Sequence, residues 1–313
     1  MKLSYPIPFS PKHSTASLPL DEAYVSGFDG LVQQGSKLYF HFQRYDWDLL
    51  HPENNPPSGE HQRRVGRRLL EGGIDTSRSL KLKGEYILGI SPFISSYYHF
   101  ITDLLPYLLE APAHPILIPQ NMPASYVAFL QRCGFSTFTL NPDQVYCVEH
   151  LFIPMLTYPD WNLEKIRTLQ DLSRQLVPLP SQSRTPYRRL YVSRKLVKKR
   201  HLINEEELLP WLHKYGFQRV FLERLPITEQ VQMMRETSHL ISPHGAGLVN
   251  TLFTPPSTVI LEIRPILTSG QFCFEQLCSY GWPHYEYLVP PKRPTFCLDV
   301  SLLLNILTRW FPF

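Results

Sequence analysis

The sequence is poor in cysteine and glycine and contains no long apolar run. Its 313 residues include five cysteines and 15 glycines, with no CxxC and no Cys/His spacing of the zinc-binding kind. Neither a disulfide framework nor a structural zinc site is expected, so a reducing compartment is the default. No stretch approaches the ~20 apolar residues of a membrane span, and residues 1–14 lack the apolar run of a signal peptide.

The excess of positive over negative charge is small as well. Lys and Arg number 31 and Asp and Glu 27, which gives a net charge of +4. This is too small for a chain of 36.5 kDa to indicate a polyanion-binding protein as a whole. The hydrophobic share of 43% and the charged share of 19% exclude a wholly disordered, collagen-like or coiled-coil chain. Proline accounts for 30 of the 313 residues, roughly twice its usual share of ~5%, and this indicates stiff connections.

Strand and helix patterns alternate along the chain, which predicts an α/β fold with parallel sheets. An irregular β-rich entry comes first, and the alternation is cleanest after a proline-rich passage that ends near residue 187. We therefore predict an N-terminal α/β domain over residues 1–180 and a C-terminal Rossmann-like domain over residues 181–313. The last helix, near residues 298–310, is amphipathic and could pack back on the first domain.

A glycine-containing turn, Ser242-Pro243-His244-Gly245-Ala246-Gly247, joins a predicted strand to a predicted helix. Ligands of open α/β sheets bind at such junctions. Gly245 and Gly247 would let an anion approach the N–H groups of the helix N-terminus, and His244 would add a hydrogen bond or a positive charge. A plain tight turn is the alternative. The absence of GxGxxG, GxxxxGKS/T and GxSxG removes the main support for hydride transfer, NTPase and serine hydrolase functions.

A basic run precedes this turn in the chain. Residues 184–200 contain eight Lys or Arg and no acidic residue, a pattern typical of a solvated face or a nucleic-acid patch. Arg194 follows the first predicted strand of the second domain and Arg200 lies in the next loop. Both are then expected at the same sheet edge as His244, where they could bind an anion.

Two acidic patterns occur in the first domain. His99 and Asp103 are four residues apart on a predicted helix, so they share a face and could supply a general base, with a surface ion pair as the alternative. Asp46-Trp47-Asp48 has the DxD pattern of a cation site, but it follows an early strand rather than closing a nucleotide-binding βαβ unit. We therefore expect no metal.

Taken together, these motifs resemble family 61 glycosyltransferases, a group that includes plant xylan arabinosyl- and xylosyltransferases and animal O-linked N-acetylglucosaminyltransferases. The resemblance covers roughly residues 85–265. It rests on the following residues and segments: His99, Asp103, Leu105-Pro106, Ser193-Arg194, Arg200, Asn204-Glu205, Ser242, His244 to Leu248, Leu252-Phe253, Pro255 and Val259 to Ile263. The chain departs from the family at Tyr107, where an Arg is usual, and at Pro256-Ser257, which replaces a Gly-containing turn.

The resemblance implies a GT-B architecture, with two Rossmann-like domains whose parallel sheets face each other across a cleft, and an inverting reaction that needs no metal or other cofactor. Asp103 would then be the base, with His99 orienting it or exchanging roles with it. The donor diphosphate would be bound by the groups at the second sheet edge, namely Arg194, Arg200, Ser242, His244, Gly245, Ala246 and Gly247. Glu262 would hold the ribose or be a buried structural carboxylate.

The predicted function is transfer of a sugar from a nucleotide sugar, with UDP as the favoured nucleotide, to a hydroxyl of a glycan, polysaccharide or glycoconjugate. No nucleic-acid partner is expected. Because the chain shows no anchor, it resembles a bacterial member that is cytoplasmic or peripheral to the inner face of the cell membrane. Two alternatives stay open: a nucleic-acid-binding protein that uses residues 184–200, and a non-catalytic sugar-binding member, for which Tyr107 argues.

Overall fold

The structure is a computed structural model. It describes residues 17–40, 45–48, 71–90, 94–111, 113–154, 163–177, 186–198, 200–265, 273–289 and 297–311. The chain divides into two units, Met1–Asp160 and Trp161–Phe313, and each combines a β-sheet with helices. The α/β class is therefore confirmed. Within the described ranges, no helix has the length and apolarity needed to cross a membrane.

The sheet of the first unit is half parallel and half antiparallel. Its eight strands have the spatial order β4-β3-β2-β1-β8-β5-β6-β7. They are β1 (Ser17–Ser26), β2 (Val32–Gln34), β3 (Lys37–Phe40), β4 (Tyr45–Asp48), β5 (Leu80–Leu88), β6 (Ile116–Pro119), β7 (Thr137–Leu140) and β8 (Val145–Pro154).

Strands β8, β5, β6 and β7 run parallel, as predicted, whereas β1 to β4 form an antiparallel meander that joins the sheet where β1 pairs with β8. The predicted parallel arrangement thus holds for the strands from residue 80 onward, and the antiparallel strands belong to the β-rich entry predicted before them. Two residues, Gly35 and Ser36, separate β2 from β3, and a connection that short permits only an antiparallel pair, since a parallel crossover needs about a dozen residues.

Helix α1 follows β5 and is irregular. It comprises Tyr97–His99, a π-helical turn at Phe100–Leu104 and an α-helical end at Leu105–Glu110. The irregularity lies one turn before Pro106, because proline has no N–H to donate to the preceding turn. The buried Phe100 ring stacks on Tyr126 of helix α2 (Ala124–Arg132), with centroids 4.4 Å apart.

The second unit is a doubly wound parallel sheet. Its elements are α3 (Leu163–Leu176), β9 (Arg188–Val192), α4 (Glu205–Lys214), β10 (Phe217–Val220), a 3₁₀ turn (Leu222–Arg224), α5 (Ile227–Arg235), β11 (Thr237–Pro243), a 3₁₀ helix (Ala246–Phe253), β12 (Val259–Pro265), α6 (Cys273–Cys278), β13 (His284–Val289) and α7 (Val300–Trp310). The strand order is β10-β9-β11-β12-β13, and every pair is parallel. This is the flavodoxin-like order, in which ligands bind at the switch point between the first and third strands.

The two terminal helices of this unit both pack on elements of the same unit. Helix α3 precedes the predicted boundary at residue 180, yet it packs against α5 and the 3₁₀ helix, and Arg235 Nη1 donates to the Ser173 carbonyl at 2.9 Å. The division therefore falls at residue 160. Helix α7 contributes Leu303 and Leu307 to a core cluster of its own unit that also contains Tyr191, and packing on the first domain stays a prediction.

Candidate active site

The candidate anion site lies at the carboxyl edge of the second sheet, at its switch point. Strands β9 and β11 are adjacent and parallel, so the residues that follow them, Ser193-Arg194 and His244-Gly245, come to the same edge. The chain after β9 leads to β10 on one side, and the chain after β11 leads to β12 on the other. The two connections therefore diverge at this point, which is where open α/β sheets bind ligands. The sequence predicted this convergence correctly.

Arg194 packs directly on Gly245. A Cβ placed on Gly245 would overlap Nη1 and Cζ of Arg194 and would lie 3.0 Å from its Nε. Nε of Arg194 also donates to the carbonyl of Arg200 at 3.2 Å, and Arg200 has a left-handed backbone with φ of 61°. The loop therefore folds back so that a carbonyl orients the guanidinium. Glycine is needed at residue 245 because only a residue without a side chain leaves room for that group.

The surroundings of Arg194 act on its charge. Burial lowers the pKa of Arg194, and the neighbouring charge of Arg200 lowers it further, with Glu223 opposing. An anion bound between the two guanidinium groups would offset both effects. This electrostatic arrangement favours a phosphate or diphosphate ligand at the sheet edge.

His244 is oriented by a buried carboxylate. It is 4% exposed, its Nδ1 donates to Oε1 of Glu262, and its backbone N–H donates to the Ile263 carbonyl at 2.7 Å. The second carboxylate oxygen of Glu262 accepts from Nε2 of His284 at 3.1 Å. Both oxygens of Glu262 are thus bound to histidines, which agrees with a buried structural carboxylate rather than with a ribose contact.

The remaining predicted residues of the turn have different surroundings. Ser242 is 1% exposed, and its hydroxyl donates to the Pro243 carbonyl at 2.9 Å, so it belongs to the sheet interior. Ala246 and Gly247 are half-buried at the start of the 3₁₀ helix. A Cβ at Gly247 would lie 3.3 Å from Cδ1 of the buried Leu222, which is closer than an ordinary van der Waals contact.

The predicted acid–base pair of the first unit is formed. Nδ1 of His99 lies 2.7 Å from Oδ2 of Asp103, and the hydroxyl of Thr102 donates to the other oxygen, Oδ1, at 2.5 Å. Asp103 lies on the π-helical turn of α1 and His99 directly before it, and their side chains are 11% and 19% exposed. Turns of this kind are frequent at functional sites. Asp103 is therefore a carboxylate with a fixed orientation and partial exposure, which fits a general base.

Tyr107, the departure from the family pattern, is 4% exposed. Burial raises its pKa to about 12. A buried, neutral phenol in this place contributes to packing rather than to a surface contact with substrate.

The described part of the chain contains no group of three or more His, Cys, Asp or Glu side chains arranged to hold a metal ion. The DxD segment Asp46-Trp47-Asp48 falls on β4, in an antiparallel pair with β3, and its side chains lie outside the described residues.

Sequence reasoning missed two residues of these sites, Thr102 and His284. Thr102 neighbours Asp103 and could have been noticed from its hydroxyl alone. His284 opens β13, a strand that was not predicted, and no motif marks it.

Comparison with known proteins identifies the group to which these sites belong. Residues 97–261 match the family model described as Glycosyltransferase 61. The chain is also similar to the EGF domain-specific O-linked N-acetylglucosamine transferase of Drosophila melanogaster, with 47% identity over 213 residues, which are 57% of this chain and 40% of that protein. The chain thus spans less than half the length of this relative, and its predicted bacterial origin stays a prediction. The matched region contains both the His99–Asp103 pair and the Arg194–His244 edge, and the chain belongs to glycosyltransferase family 61.

Proposed function

We propose that this protein transfers a sugar from a nucleotide sugar to an acceptor hydroxyl, with inversion at the anomeric carbon and without a metal ion. The observation that carries the proposal is the meeting of Arg194, Arg200 and His244 at the switch point of a parallel sheet. Such a set of fixed donors stabilises the charge that develops on a departing diphosphate. Family membership supports the same reaction class.

In the proposed step, the acceptor oxygen attacks C1 of the sugar as the bond from C1 to the diphosphate oxygen breaks. Asp103 takes the proton of the acceptor hydroxyl, while His99 and Thr102 hold its two oxygens in place. Arg194, Arg200 and His244 bind the diphosphate as it leaves. The GT-B assignment, with acceptor chemistry in the first domain and donor binding in the second, is part of this proposal.

The donor we propose is a UDP-sugar, and the name of the Drosophila relative makes UDP-N-acetylglucosamine the first candidate. The proposed acceptor is a hydroxyl of a glycan, polysaccharide or glycoconjugate. The relative acts, by its name, on EGF domains, so a protein hydroxyl is the second acceptor class to test.

Nucleic-acid binding has less support, because several basic residues of the run 184–200 are engaged within their own unit. Arg188 Nε donates to Glu236 at 2.6 Å, Arg189 Nη1 donates to the Tyr215 carbonyl at 2.7 Å, and Lys195 pairs with Glu206. Such residues do not form an open phosphate-binding stripe. The non-catalytic alternative, for which Tyr107 in place of the family Arg argues, stays open.

The test is donor hydrolysis and transfer with EDTA present. The purified chain is incubated with a panel of UDP-sugars and with two acceptors, a cell-envelope glycan extract and a folded EGF domain, and released UDP and glycosylated product are measured. We expect UDP release that depends on acceptor and is unchanged by EDTA. Release that requires a divalent cation would contradict the metal-free mechanism, and binding of no nucleoside diphosphate at all would contradict the proposed function.

A further inference from the structure

Glu262 is a buried carboxylate held between two histidines, only one of which was predicted to touch the donor. Its exposed fraction is 1%. Burial opposes its ionisation, yet the hydrogen bonds from His244 and His284 outweigh burial and lower the pKa of Glu262. An ionised carboxylate only accepts hydrogen bonds, so the bonding nitrogens of both histidines carry hydrogen. Nδ1 of His244 is therefore committed to Glu262.

We propose that His284 and Glu262 are positioning residues for His244, and that they determine which nitrogen of His244 meets the diphosphate of the donor. This inference rests on the proposed function. With Nδ1 bound to Glu262, Nε2 is the nitrogen of His244 left for a phosphate oxygen. His284 lies 22 residues beyond Glu262, on the next strand, and holds Oε2 so that Oε1 is aimed at His244. Partners that orient a histidine in this way set its tautomer.

A phosphate oxygen only accepts hydrogen bonds, so Nε2 of His244 must donate to it while Nδ1 donates to Glu262. In this orientation the ring has three described neighbours: the Glu262 carboxylate, the Phe274 ring at 5.4 Å and, across Gly245, the Arg194 guanidinium.

A purely structural role for His284 predicts something different. Glu262 is deeply buried, and a buried charge needs partners whatever its function. Loss of His284 would then destabilise the unit and would weaken UDP binding by the same factor whether or not His244 is present. A positioning role makes the effect of His284 on UDP binding depend on His244.

The experiment is a double-mutant cycle on the whole chain, with UDP binding measured by calorimetry in EDTA. The variants are His284→Leu, His284→Gln, His244→Ala and His244→Ala/His284→Leu, with UDP taken to millimolar concentration for the weak binders. His213→Leu, an exposed histidine of α4, is the matched control. Thermal unfolding of each variant measures stability separately.

We expect His284→Leu to weaken UDP binding about 10-fold in the wild-type background and to have almost no effect once His244 is alanine. His284→Gln keeps an N–H donor for Glu262 and should bind UDP like the wild type. In ¹⁵N-histidine NMR of the free chain, His244 should show a protonated Nδ1, and His284→Leu should change that tautomer. The control His213→Leu should bind UDP like the wild type.

Equal losses in both backgrounds, a His284→Gln variant as weak as His284→Leu, or an unchanged His244 tautomer would each overturn the inference while leaving the proposed function intact. Failure of the wild-type chain to bind any nucleoside diphosphate would overturn the proposed function and this inference with it.

Discussion

The guanidinium of Arg194 occupies the place where a side chain at residue 245 would begin. Arg194 and Gly245 therefore pack against each other at the ends of strands β9 and β11. The backbone of Gly245 is extended, with φ of 168°, a conformation that any residue can adopt. Glycine is needed here because it leaves space for the Arg194 guanidinium. Recognition of an anion at this edge therefore depends on a residue that supplies no side chain.

Substitution of Gly245 should act through Arg194. In Gly245→Ala the new methyl group overlaps the guanidinium, which must leave its place beside the Arg200 carbonyl. We expect UDP affinity to fall at least about 10-fold, because a preorganised charged donor is lost. Calorimetric titration with UDP measures this.

The double variant Gly245→Ala/Arg194→Ala is the control for that mechanism. If the alanine acts by displacing Arg194, the double variant should bind UDP like Arg194→Ala alone. Fully additive losses would mean that Gly245 serves another purpose, such as backbone contact with the ligand.

Arg194→Lys should not restore the site, although it keeps the positive charge. Lysine has no Nε–H to donate to the Arg200 carbonyl, and its single ammonium cannot bind two oxygens of one phosphate in a planar fork. We expect UDP affinity close to that of Arg194→Ala. Wild-type affinity in Arg194→Lys would show that charge alone is recognised.

Asp103→Asn should separate donor binding from chemistry. The amide is nearly isosteric and can still accept from Thr102, but it cannot take a proton from the acceptor. We expect transfer to fall about 10²- to 10⁴-fold with UDP affinity unchanged, as measured by product formation and calorimetry in parallel. The exposed Asp143→Asn is the matched control in the same unit, and full transfer by Asp103→Asn would disprove the base assignment.

The second unit should lose stability in mild acid through His239. Burial, with the charge of Arg189, lowers the pKa of His239 from 6.5 to about 4. Between these values the unfolded chain binds more protons than the folded one, so stability is complete above pH 6.5 and is lost as the pH falls towards 4. Thermal unfolding between pH 7 and 4.5 measures the loss.

The variant His239→Phe should reduce that acid loss, because phenylalanine preserves ring packing on Trp310 and Phe311 and does not titrate. We expect its fall in Tm across this pH range to be at least about 2 °C smaller than that of the wild type. His213→Phe, on the exposed surface of α4, should follow the wild type. Equal acid sensitivity in both variants would exclude His239 as the source.

Local patterns were enough to predict several parts of the fold and site. The 3₁₀ helix Ala246–Phe253 lies where a helix was predicted, because the glycine turn and the apolar run that follows are local signals. The spacing of His99 and Asp103 predicted their contact, since residues four apart are neighbours on the surface of an α-helix. Convergence of Arg194 and His244 also followed, because adjacent parallel strands place their carboxyl ends at one edge.

By itself, then, the sequence determined the α/β class, the alternation of strands and helices in the second unit and the two candidate sites. Only the tertiary structure decided that β1 pairs with β8 and makes the first sheet mixed, that α3 belongs to the second unit, and that Glu262 lies between His244 and His284. The physical reason is the range of the interactions. Helix periodicity and turn chemistry act between near neighbours, whereas strand order and the partners of a buried carboxylate depend on packing between distant segments.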